Sequence, residues 1–112
     1  MISKKIYLAS PYSAINPAIR EARHLSVCRK AGELMRAGYI VFSPIAHSHP
    51  IAEVCELPKD WEFWKKYDKT FIDWCDELWI LMLPGWKTSK GVSAEVELAM
   101  ALGKFIKHIP RG

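Results

Sequence analysis

Six apolar residues follow Glu77 without a break in "ELWILML" (77–83), the pattern of a strand buried on both faces. Shorter apolar runs rich in strand formers occur at "KKIYLAS" (4–10), "YIVFSP" (39–44) and "KFIKHIP" (104–110). Between them the period lengthens to that of a helix. Residues 16–37 read as one helix, with Asn16 as N-cap, Pro17 at the first helical position and Gly38 just past the end. A second helix is expected over "DWEFWKKYDKTFIDWC" (60–75), capped by Asp60, and a third over "GVSAEVELAMALGK" (91–104). Residues 45–60 hold Pro50 and Pro58 and read as a loop with a short helix inside it.

Strands alternating with helices imply a parallel sheet with right-handed crossovers, hence a three-layer α/β domain spanning 1–112. Such sheets bind ligands beyond the carboxyl ends of their strands, where the strand order switches. That edge would carry "ASPYS" (9–13), "SPIAHSH" (43–49), "PGWKTSKG" (84–91) and the start of the helix after it.

Two helices place an acid on the apolar side. At about 100° per residue, Glu97 shares a polar sector with Ser93 and Lys104. Glu95 falls inside the stripe of Val92, Leu98, Ala99 and Leu102. In the 60–75 helix, Asp68 lies between Trp61 and Cys75 in projection, within an otherwise aromatic and aliphatic arc. An unpaired buried carboxylate protonates or finds a partner. A tryptophan N–H, a tyrosine hydroxyl or backbone amides would be a structural partner. The functional account is a carboxylate pair at the sheet edge, the equipment for cleaving a glycosidic bond with retention. The start of the helix would favour the ionised form of Glu95, and Trp61, Trp64 and Trp86 offer flat surfaces for a nucleobase.

Composition narrows the field. The chain of 112 residues is half hydrophobic and carries a net charge of +4, with its basic residues scattered. That suits a phosphate-bearing small molecule and argues against stable nucleic-acid binding. Three cysteines without a CxxC pair suggest neither a disulfide framework nor zinc. No stretch predicts a signal peptide or a membrane span, so a cytoplasmic location is expected.

"IYLAS" (6–10), "CDELWILMLPG" (75–85) and "SKGVSAEVELAMALGK" (89–104), with an aspartate in an aromatic helix, resemble the nucleoside 2-deoxyribosyltransferase superfamily. That superfamily includes the 2′-deoxynucleoside 5′-phosphate N-hydrolases. The most specific element is Gly91 to Glu95. The resemblance implies a flavodoxin-like, Rossmann-like sandwich of four parallel strands in order 2-1-3-4, with a fifth strand common among members. It implies Glu95 as the nucleophile at C1′, Asp68 as the acid or base-orienting group, and Tyr7 as the hydroxyl that positions Glu95. Ser89 falls where the phosphate-dependent hydrolases carry serine, which with Ser10, Ser13 and Arg20 points to a 5′-phosphate. Gly91, Trp64 and His47 complete the expected substrate contacts. No cofactor is implied, and a homo-oligomer is expected.

Other chemistry has little support. "HSH" (47–49) lacks a nearby acidic or cysteine ligand in sequence, so no metal set is predicted. There is no Walker A, GxGxxG or G-x-S-x-G pattern. The competing reading is a non-catalytic module of the same fold that binds a nucleotide or an ADP-ribose-type ligand.

Overall fold

The computed structural model describes residues 3–111. Strand β1 (Lys5–Ala9) leads into helix α1 (Pro17–Arg36), strand β2 (Ile40–Phe42) and helix α2 (Pro44–Cys55). Helix α3 (Trp61–Trp74), strand β3 (Glu77–Leu81), a short 3₁₀ turn at Trp86–Thr88, helix α4 (Lys90–Ala101) and strand β4 (Phe105–Ile109) complete the chain. The four strands form one all-parallel sheet, as the alternation of periods predicts, in the order β2-β1-β3-β4 that the resemblance implies. Strand β1 is central, and Tyr7 pairs with Phe42 on one side and Leu78 on the other.

Alternation along the strands sorts their side chains onto two faces. Ile6, Leu8, Trp79 and Leu81 pack against Val27 and Ala31 of α1. Tyr7, Ala9, Leu78 and Ile80 pack against Ile72 of α3 and Val92 and Ala99 of α4. All of these are buried, so the sheet is covered on both sides, as parallel sheets require.

The caps foreseen at α1 and α3 form. Asn16 accepts from the Ala18 N–H at 2.9 Å and Asp60 from the Phe63 N–H at 3.1 Å. Residues 45–60 depart from expectation. Twelve residues from Pro44 form a continuous helix, started by Ser43, whose hydroxyl accepts from the Ala46 N–H at 3.1 Å. Pro44 takes the first turn, where its missing N–H is harmless. Pro50 lies in the interior, a position that ordinarily costs about 3 kcal/mol. The helix persists because it buries Ile45, His49 and Ala52. It ends at Glu56, in the left-handed region at φ 52°. Strands β2 and β3 are shorter than read, because Pro44 starts α2 at once and the chain leaves the sheet after Leu81.

Candidate active site

At the carboxyl edge, the loops after β1 and β3, helix α2 and the starts of α3 and α4 enclose a cavity of about 620 Å³. That size suits a small organic ligand. Glu95 and Asp68 both face it, and both are buried, with 5 % and 7 % of their surface exposed.

Tyr7 joins them. Its hydroxyl, fully buried on β1, donates to Glu95 Oε2, and it also acts on Asp68. Burial, and then the neighbouring Asp68 charge, hold the Glu95 carboxyl well above the usual carboxylate range, opposed by the Tyr7 hydrogen bond. Burial pushes Asp68 up to about 7. Burial beside two acids raises Tyr7 as well, so it stays a proton donor. The expectation that the helix start would keep Glu95 ionised needs correction. Ser89 is the N-cap of α4, which puts Glu95 beyond the first turn, where the macrodipole fades. The two acids titrate as a pair. Burial and the Asp68 charge favour the shared proton on Glu95, and the Tyr7 hydrogen bond is what favours the Glu95 anion.

The remaining predicted contacts divide. Ser10, Ser13, Trp64, Ser89 and Gly91 line the cavity, with Trp61 beside them. The Ser10 hydroxyl is buried and has no hydrogen-bond partner among the described residues. Ser89 caps α4 by accepting from the Val92 N–H at 3.2 Å. Ser13 donates to the Lys59 carbonyl at 3.2 Å, and the Trp64 indole to the Pro58 carbonyl at 2.6 Å, which fastens the α2–α3 loop over the cavity.

Arg20, His47 and Trp86 are not among the lining residues. The Arg20 guanidinium donates to the Ala14 and Ile15 carbonyls and so holds the β1–α1 loop. Arg23, one turn on, faces the cavity and donates to the Ser13 and Pro84 carbonyls. Gly85, at φ +93°, admits it, since a Cβ there would lie 2.9 Å from Arg23 Nη2. His47 is exposed and rests against Phe42, whereas His49, two residues later, is buried at the cavity wall. Trp86 packs on the α4 side of the core, edge-on to His108. Arg23, Lys59, Lys90 and Tyr12 are lining residues that the sequence did not single out.

A family model described as a domain of unknown function, DUF1937, matches residues 4–109. The chain belongs to the DUF1937 family. No curated protein matches it. The DUF1937 match runs from before β1 to the end of β4, so it takes in Tyr7, Asp68 and Glu95 together with the loops that close the cavity. No described helix of this DUF1937 chain is long and apolar enough to cross a membrane.

Proposed function

We propose that this protein cleaves the N-glycosidic bond of a 2′-deoxynucleoside or its 5′-phosphate, or transfers the sugar, through a covalent intermediate on Glu95. The observation that carries the reading is the buried Tyr7 hydroxyl bonded to Glu95, with Asp68 beside it, at the wall of an accessible cavity. A core would gain nothing from two acids where leucines would pack.

The chemistry follows from sharing one proton, which passes to Asp68 when Glu95 acts as the nucleophile. The Glu95 oxygen attacks C1′, the C1′–N bond breaks, and its electron pair leaves with the base. Asp68, pushed up to about 7 and so able to hold a proton near neutral pH, gives that proton to the departing nitrogen. Water, or a second base, then attacks C1′ and releases Glu95. Asp68 takes up the proton lost by the attacking group. Throughout, the Tyr7 O–H donates to Glu95 from the side of the sheet where the other strand residues are apolar. It limits the carboxylate to a single oxygen for attack.

Three further features support a 5′-phosphate. Arg23, Lys59 and Lys90 bring positive charge to the cavity. Ser89 serves the Val92 N–H and, through its carbonyl, the Ser93 N–H. The amides of Lys90 and Gly91 at the same helix start are then free to meet an anion. The unpartnered Ser10 hydroxyl adds a donor. Trp61 and Trp64 line the cavity and offer flat surfaces for the base. Three cysteines without a disulfide favour a reducing compartment, and we place the protein in the cytoplasm.

The test is incubation with a panel of deoxynucleosides and their 5′-phosphates, with free base followed by chromatography. Release is expected, greatest with the 5′-phosphates and lost in Glu95→Ala. Tight binding without release would favour the ligand-binding module, and equal release by Glu95→Ala would overturn the mechanism.

A further inference from the structure

Behind Tyr12 and His49 at the cavity wall, α1 and α2 bring together a second group of side chains that the proposed reaction does not use. Glu21 and His24 are neighbours three residues apart on α1. His49 meets them from α2, only 6 % exposed. Its Nε2 stands 2.9 Å from Glu21 Oε2, and His24 Nδ1 stands 3.7 Å from Glu21 Oε1. The two imidazoles stack with centroids 4.3 Å apart. One donor atom from each residue fits within a 4.8 Å cluster.

Each imidazole is also held at its other nitrogen. His49 Nδ1 lies 2.5 Å from the Tyr12 hydroxyl, and His24 Nε2 lies 3.5 Å from Cys28 Sγ. Outer partners of this kind fix the tautomer and aim of metal-binding histidines. The inner nitrogen of His24, Nδ1, is buried and has no hydrogen-bond partner among the described residues. Glu53 adds a second carboxylate 3.9 Å from His49 Nδ1.

We propose that Glu21, His24 and His49 bind one divalent transition-metal cation of the zinc class, through the Glu21 carboxylate, His24 Nδ1 and His49 Nε2. Two imidazoles and one carboxylate suit zinc and its neighbours and disfavour magnesium and calcium, which prefer all-oxygen sets. Tetrahedral bonds of about 2.1 Å place donor atoms roughly 3.4 Å apart. The 2.9 Å from His49 Nε2 to Glu21 Oε2 and the 3.7 Å from His24 Nδ1 to Glu21 Oε1 lie on either side of that spacing, and one donor from each residue lies within 4.8 Å of the others. On binding, the His49 proton resides on Nδ1 and is donated to the Tyr12 oxygen, leaving the Nε2 lone pair for the metal. Three protein ligands leave a fourth position for water. The cation ties α1 to α2 and fixes the wall formed by Tyr12 and His49.

The experiment titrates the tag-free full chain, stripped by chelator, with zinc chloride by calorimetry and with cobalt chloride by visible absorption. One equivalent of zinc is expected to bind at micromolar or lower Kd, and cobalt to give the visible bands of a low-coordinate site. Glu21→Gln and His24→Ala should each weaken zinc by at least about tenfold. Replacing the exposed His47 or His108 should change nothing. Glu21 is itself half exposed, so Glu21→Gln reads the site even where His24→Ala disturbs the fold. Absence of stoichiometric binding, or binding unchanged in both variants, would overturn the proposal. Neither readout depends on glycosidic activity.

Discussion

The two faces of the sheet are built from alternate residues of the same strands, and they bury different chemistry. Ile6 and Leu8 point to the α1 side, where the strand contacts are aliphatic or indole. Tyr7, between them in sequence, points to the α3/α4 side, where both buried carboxylates lie. A parallel sheet needs apolar cover on both faces, so the second face gives up packing where Asp68 and Glu95 stand. One face supplies stability. The other spends part of it on a site.

The sharpest way to break this contrast is an isosteric change on the functional face. Glu95→Gln should lower base release by about a thousandfold or more, since the nucleophile is lost. It should leave the thermal midpoint equal or higher, since a neutral amide replaces a group that burial already opposes. A large loss of stability instead would make Glu95 a structural residue. On the other face, Leu8→Ala should cost about 2–5 kcal/mol in denaturant unfolding, with kcat of the folded fraction unchanged.

Protons sharpen the comparison further. Burial raises Asp68 from 3.8 to about 7 in the fold, so the native state holds this proton more tightly than the unfolded chain does. The stabilisation is complete below pH 3.8 and is lost as pH rises through about 7. The slope is at most about 1.4 kcal/mol per pH unit. Asp68→Asn should flatten that decline in pH-dependent unfolding, and should lower the rate by about a hundredfold or more. In the wild type, kcat should fall as pH rises past about 7 and Asp68 loses the proton it gives to the departing base. The smallest effect concerns the rim. Lys90→Ala should raise KM for a 5′-phosphate by roughly tenfold and leave KM for the free nucleoside alone.

Much of this arrangement is written locally in the chain. The continuous run after Glu77, the alternating periods and the caps at Asn16 and Asp60 are local signals, and strands, helices and a parallel sheet follow from them, whereas the strand order came only with the resemblance. The burial of Asp68 and Glu95 is legible because helical projection needs only 3.6 residues per turn. Tyr7 was drawn into the site by family resemblance, since an alternating strand residue does not reveal its partner. The errors have one cause each. Reading 45–60 as mostly loop hid that His47 and His49, about 200° apart on a helix, face opposite ways. His47 therefore stood in for His49, and the meeting of His49 with Glu21 and His24 went unseen, because it spans two helices. Arg20 and Arg23 are alike in sequence and both hold loop carbonyls, and only the folded loops decide that Arg23 faces the cavity and Arg20 does not. Lys59 and Lys90 reach the cavity through loop geometry that no local pattern encodes.

The central claim is that Glu95 forms a bond to the sugar, so displacement occurs twice at C1′. The most direct measurement is the configuration of the methyl deoxyriboside 5-phosphate formed when a β-deoxynucleoside 5′-phosphate is turned over in aqueous methanol, read by proton NMR. Two displacements predict the β-methyl product. Formation of the α-methyl product would mean a single displacement, and would contradict a covalent role for Glu95.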